Sequence, residues 1–288
     1  MTFLRWICGF FFLAVVSAGL GGTLAQFRTP FGDIEVELYN QDKPATVQNF
    51  IRYVQSGRYA NEFSHRLLPG FVLQAGGFAI TNRGTTNWST TAVATYPPVT
   101  NEFNTGTFYS NVFGTIAMAK TSDPNSATSQ FFFNLADNSA ALDSPTNSGG
   151  FTVFGRVVAG TNVLATFNNF QYWTFPWAAP PQPTNLVLYQ YYASPFDTLP
   201  LLHPGIIDSN LVFLDISLPN VRIAAKANRA CNVFWNSVAG MTNYVEFTTH
   251  FPPAWQLLLA TNGNGSAMTT TDSTTNNTSR FYRLRVGD

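Results

Sequence analysis

Charge is what this sequence has least of. Asp, Glu, Lys and Arg make up 10% of its 288 residues, fifteen basic and fifteen acidic, against about 25% in an average soluble protein. The net charge is zero. A basic footprint of the kind that neutralises phosphates is therefore missing, which argues against a nucleic-acid partner. Cysteine is as scarce, with Cys8 and Cys231 only. Cys8 lies in an N-terminal segment expected to be removed, so the mature chain has no internal disulfide and must stand on packing. The strand-like context "RACNVFW" predicts that Cys231 is a small buried hydrophobe. Histidine occurs three times, at positions 65, 203 and 250. No His/Cys/Asp/Glu group has metal-ligand spacing, so neither a metal nor a cofactor is expected.

Apolar material is plentiful. Hydrophobic residues are 45% and aromatics 15% of the chain, which excludes disorder as a whole-chain description. Residues 1–25 have the composition of a signal peptide. Arg5 supplies the positive start, Trp6 to Ala18 the apolar run, and small residues ending at Ala25 a cleavage point before Gln26. The apolar run is shorter than the ~20 residues a spanning helix needs. The expectation is an exported protein, periplasmic or extracellular, without a membrane span once the leader is gone.

"FGDIEVEL" at 31–38 alternates as a half-buried strand does. "DKPATVQNFIRYVQSG" at 42–57 predicts a helix, with Pro44 in its first turn and Gly57 as its cap. "GFVLQAGGF", "GTIAMAK", "SQFFFNLA" and "FTVFGRVV" predict further strands, and "GTNVLATFNNF" at 160–170 a second, short helix. Strands without βαβ repetition point to an antiparallel sheet or barrel closed by a few helices. A Pro- and aromatic-rich insertion spans about 171–206, and "SNLVFLDISL" at 209–218 returns to strand character. Residues 220–288 give short strand signals separated by Asn, Gly and Thr turns, as in a small β-sandwich. Trp235 and "GMTNYVEFTT" resemble the B-to-C strand region of fibronectin type III-like modules, with "RFYRLRV" as the last strand. This module offers a surface for a protein partner.

One stretch is unlike a simple core strand. "FSHRLLPGFVLQAGGF", residues 63–78, places an arginine and a glutamine among apolar residues. It resembles the central motif of the cyclophilin family of peptidyl-prolyl cis–trans isomerases. So do "GTIAMAKTSDPNSATSQFFFNLADN", "FTVFGRVVAGTNVLATF" and the helix "KPATVQNFIRYVQSGRY", in the same order along the chain. The resemblance implies a mainly β fold for residues 26–219, an eight-stranded antiparallel barrel capped by two helices, with a substrate groove on its outer face. It implies that Arg66 is catalytic. It places His65, Phe71, Val72, Gln74, Ala119, Gln130, Phe132, Leu142 and Phe151 at the substrate. Two positions depart from the family pattern. Ala141 stands where members carry Trp or Phe, and Phe151 where His or Tyr is usual. The loss at 141 implies weak binding of cyclosporin.

Two functional classes follow. One is an exported isomerase acting on the X–Pro bonds of unfolded exported proteins and other proline-containing peptides. The other is a proline-peptide-binding or surface-interaction module that keeps the scaffold without much turnover. Arg66, Gln74, Phe71 and Phe132 favour the first, while Ala141, Phe151 and the aromatic insertion favour the second.

Overall fold

The computed structural model describes residues 23–173, 187–189, 194–203, 207–218, 221–225, 230–237, 242–250, 253–264, 266–273 and 279–287. Most of the expected leader, much of the aromatic insertion and the Pro219-Asn220 junction lie outside the described residues.

Side-chain alternation builds the first unit. Strands β1 (Leu24–Thr29), β2 (Gly32–Leu38), β3 (Arg66–Leu68), β4 (Val72–Ala75), a hairpin of β5 (Phe78–Thr81) and β6 (Ser89–Ala92), β7 (Thr115–Met118), β8 (Phe131–Asn134) and β9 (Val153–Ala159) are followed by three short strands of the insertion. These are β10 (Gln171–Trp173), β11 (Val187–Tyr189) and β12 (Leu199–Leu201), and β13 (Asp215–Ser217) comes after them. Eight strands form one antiparallel sheet in the order β13-β1-β2-β9-β7-β8-β4-β3. The sheet curls until its edges meet. Phe63, just before β3, bridges Phe213, just before β13, and the Ser64 N–H donates to the Val212 carbonyl at 2.8 Å.

Inside the curl lies an aromatic core. Phe27, Phe131 and Phe133 make edge-on contacts, with Phe27 and Phe133 centroids 5.0 Å apart. Two helices cover this core. α1 (Pro44–Gln55) buries Val47, Phe50 and Tyr53 against it. Its N-terminal N–H groups have no local side-chain cap. Glu102, distant in sequence, accepts from Ala45 N at 3.1 Å and Thr46 N at 2.8 Å instead, placing a carboxylate at the positive helix end. A single helical turn, α2 (Ser139–Leu142), sits between β8 and β9. After β9, α3 (Thr161–Thr166) buries Val163 and Leu164.

The register places Leu24 and Ala25 in β1. Leu24 pairs with Glu37 and Ala25 with Val36, and Ala25 is fully buried in the core. Cleavage after Ala25 would cut into β1 and remove two of its paired residues.

The insertion is ordered where it is described. β12 runs beside β3, and the Leu67 N–H donates to the Thr198 carbonyl at 2.9 Å. Leu199 and Leu201 are buried with Phe63, Ile80, Leu211 and Phe213, and Phe196 packs on Phe78 at 4.8 Å. The insertion therefore covers the edge of the strand that carries Arg66.

Six strands follow in the second unit: β14 (Val221–Ala225), β15 (Cys231–Asn236), β16 (Thr242–Thr248), β17 (Gln256–Asn262), β18 (Ala267–Asp272) and β19 (Phe281–Gly287). They form two three-stranded antiparallel sheets, β14-β15-β18 and β17-β16-β19. Val233, Trp235, Val245 and Leu284 fill the space between them. Cys231 differs from its expected place. It is half-buried, and its Sγ lies 3.0 Å from the Tyr282 hydroxyl, which donates to Asp272 at 2.7 Å. The thiol joins a polar network across the two sheets.

Candidate active site

Period-two alternation places two different sets of side chains on the two faces of the sheet. Leu67, Leu73, Ala75, Ile116, Met118, Phe131, Phe133 and Phe154 enter the interior core. Their neighbours Val72, Ala117, Phe132 and Val153 form a separate cluster on the outer face, joined by Leu142. Phe71, Ala119, Phe151, Tyr39 and Tyr109 pack against that cluster while partly exposed. Register aligns this outer set into a row. Arg66 pairs with Gln74, Gln74 with Phe132, and Phe132 with Ala117.

Polar atoms continue the row. Arg66 Nη1 donates to Gln74 Oε1 at 3.2 Å, and Gln74 Nε2 donates to Gln130 Oε1 at 2.7 Å. One amide thus orients the guanidinium and a second amide orients the first. Gly77 makes this arrangement fit. A Cβ there would stand 3.0 Å from both the Gln130 amide carbon and His65 Cε1. A side chain at position 77 would push the relay out of place.

His65 is the residue whose expected place changes. It is 2% exposed, so its ring lies behind the groove and does not form its wall. It packs edge-on against Phe78 at 5.1 Å. Burial first, and the Arg66 charge second, lower its pKa to about 4, while a hydrogen bond with Gln130 acts the other way. The imidazole is therefore neutral at pH 7, and it supports Gln130 from behind.

The pocket walls come from the segment between β8 and β9. Phe151 meets Phe132 edge-on at 6.0 Å. The Phe151 N–H donates to the Leu142 carbonyl at 3.0 Å, fixing these two walls to each other. Asp143 accepts from Asn111 N at 3.0 Å and from Asn111 Nδ2 at 2.8 Å, and Asn138 Nδ2 donates to the Phe71 carbonyl at 2.7 Å. Ala119 sits beside this pocket with its N–H on the Gln130 carbonyl at 2.9 Å. Ala141 is exposed and outside the apolar cluster, and its carbonyl accepts from Asn147 Nδ2 at 2.7 Å. It contributes no wall.

Sequence reasoning missed three neighbours of the pocket. Tyr39 and Tyr109 stack with centroids 3.9 Å apart and pack against the outer-face cluster. Lys120 holds its ammonium 4.1 Å above the Phe151 ring. The tyrosines lie far from the motif in sequence and carry no periodic signal. Lys120 directly follows Ala119, and its position there was the one available cue.

Together the row offers an apolar depression, a charged donor beside it and a backbone-lined edge, without a nucleophile. Such a site can hold a ring and polarise an amide by hydrogen bonding.

Comparison with known proteins agrees with this chemistry. Residues 24–186 match the family model described as cyclophilin type peptidyl-prolyl cis-trans isomerase/CLD. A peptidyl-prolyl cis-trans isomerase of Acinetobacter baylyi is 38% identical over 62% of this chain and 90% of its own length. Peptidyl-prolyl cis-trans isomerase A of Dickeya dadantii is 44% identical over 54% of this chain and 75% of its own. Peptidyl-prolyl cis-trans isomerase B of Escherichia coli is 38% identical over 49% of this chain and 81% of its own.

Proposed function

Because this chain belongs to the cyclophilin-type peptidyl-prolyl cis–trans isomerase family, we propose that Arg66 performs its isomerisation, with Phe71, Val72, Phe132, Leu142 and Phe151 holding the proline ring. The observation that carries the proposal is the outer-face row from Arg66 through Gln74 to Phe132. It places a fixed guanidinium next to an apolar seat for a five-membered ring.

The chemistry needs no bond cleavage. Amide resonance sets a barrier of ~18–20 kcal/mol, and X–Pro bonds isomerise unaided in tens to hundreds of seconds. In the transition state the amide is twisted and the proline nitrogen regains its lone pair. A guanidinium aimed at that nitrogen bonds the twisted form more strongly than the planar one, which is differential transition-state binding. Arginine suits the task because it stays charged and its donor fork is rigid. A thousandfold acceleration corresponds to about 4 kcal/mol. A hydrogen bond from a charged donor contributes about 1.5–3 kcal/mol, and positioning of the ring supplies the remainder. Gln74 and Ala119 hold the substrate backbone while the anchored ring stays still and the acyl side turns.

The substrates are X–Pro bonds of unfolded exported proteins, and the setting is outside the cytoplasm. Arg5 and the apolar run from Trp6 to Ala18 support this. Sequencing the N-terminus of the exported protein checks it, and the first residue is expected no later than Leu24. Among the described residues no helix is long and apolar enough to cross a membrane. The module at 220–288, low in charge and rich in Thr and Asn turns, would dock the enzyme to a protein or cell surface. Isomerase activity is tested with a coupled proline-isomerisation assay on the purified protein. Acceleration above the uncatalysed rate is expected without added metal or cofactor. A rate equal to the uncatalysed one would favour the binding-module reading, which the exposed Ala141 supports.

A further inference from the structure

We propose that Lys120 is a specificity-determining residue of this groove, and that it selects proline sites with a carboxylate side chain within three residues of the proline. The inference rests on the isomerase reading and adds a substrate class to it.

Position comes first. The Lys120 ammonium sits 4.1 Å over the Phe151 ring, and that ring meets Phe132, the floor of the ring pocket, at 6.0 Å. An extended peptide advances ~3.3–3.6 Å per residue. A substrate with its proline on Phe132 therefore brings a residue two or three positions away under the ammonium.

The charge is held there. Lys120 Nζ donates to the Ser148 carbonyl, and its stem is half-buried. An ammonium has three donors, so one fixes the group and two remain for a ligand. A cation already fixed in place loses less conformational entropy when it binds. Partial burial lowers its pKa and the Asp123 charge raises it. That burial also reduces the screening of any carboxylate that arrives.

Of the acids near the groove only Asp123 acts on the Lys120 charge, and each accepts hydrogen bonds from neutral neighbours. Asp143 accepts from Ser110 and Asn111, Asp137 from Ser139, Asp123 from the Asn125 N–H and Asp42 from Tyr109. His65, beside the far end of the row, is neutral because burial lowers its pKa. Two cations, Arg66 and Lys120, thus mark the groove of a chain whose total charge is zero. Complementary potential favours an anionic partner and disfavours a cationic one.

The test uses the full-length protein and single-proline peptides. Glu, Ala or Lys is placed in turn at each of three positions on either side of the proline, and kcat/KM is measured by exchange NMR. At one or more positions on one flank, Glu peptides are expected to exceed Lys peptides by about three- to tenfold, a ratio that narrows with salt. Lys120→Gln should bring that ratio to near one, and Lys120→Glu should invert it. If Lys120 only braces Ser148, both variants lower all peptides equally and the ratio stays as in the parent, which overturns the proposal. Equal rates for Glu and Lys peptides in the parent also overturn it while leaving the isomerase reading intact. No acceleration of any peptide overturns both.

Discussion

Phe132 and Phe133 are neighbours in one strand, chemically identical and almost equally buried, yet they belong to different parts of the molecule. Phe133 points into the barrel, where it meets Phe27 and Phe131. Phe132 points outward, where it pairs across strands with Gln74 and Ala117 and touches Phe151. The same alternation separates Leu73 from Gln74 and Ile116 from Ala117. A single-residue step divides the interior core from the outer-face cluster proposed to meet a substrate. Burial alone does not identify function here; the face does.

The division is tested most strongly at the core. Phe133→Ala should cost about 3–5 kcal/mol by opening a cavity among fixed rings. Denaturant unfolding measures it, and activity per folded molecule should change little. Phe132→Ala should also cost stability, since Phe132 is only 4% exposed, but unlike Phe133→Ala it should lower kcat/KM per folded molecule about ten- to a hundredfold. Equal profiles for the two variants would erase the distinction between the faces. Gln130→Ala removes the acceptor that orients Gln74, and through it Arg66. A loss of about five- to tenfold in kcat/KM is expected, with a fall in the thermal midpoint as well, because the buried His65 loses its hydrogen-bond partner.

Acidity separates stability from catalysis. Burial lowers the His65 pKa from its usual 6.5 to about 4, so the unfolded chain binds the proton more readily than the folded one. The stability His65 contributes is full above about pH 6.5 and falls as pH drops toward about pH 4, on the order of 3 kcal/mol in total. Glu62 acts in the opposite direction. Burial raises its pKa well above the carboxylate range, so the folded state holds its proton and loses relative stability as pH rises above the unfolded value near ~4.3. His65→Gln should flatten the acid side of a stability-versus-pH curve measured in urea. Arg66 stays charged throughout, so kcat/KM should be level between about pH 6 and 9.

The smallest effect is expected from the second unit. Removing everything after Leu218 should leave kcat/KM within about twofold, because the sandwich supplies no residue of the outer-face row. An insoluble or inactive fragment would show that barrel and sandwich are one cooperative unit.

Much of this was legible in the sequence because alternation is a local signal. "FVLQA" and "QFFFNLA" declare their two faces, and the spacing of Val47, Phe50 and Ile51 declares a helix. Three things were hidden for physical reasons. β1 continues directly from a stretch of small and apolar residues, so the sequence alone did not mark Leu24 and Ala25 as strand residues paired with β2. The orientation of His65 depends on where the three-residue strand β3 begins and on Phe78, a contact made through tertiary packing. Tyr109 and Lys120 reach the pocket by loops, whose path no periodicity describes.

The central claim is that Arg66 supplies the transition-state hydrogen bond while the rest of the row positions the substrate. It is tested most directly by comparing kcat/KM of the parent and Arg66→Ala on one X–Pro peptide, with circular dichroism recorded for both. A fall of about a hundredfold or more with an unchanged spectrum is the predicted result. Activity in Arg66→Ala equal to that of the parent would contradict the account.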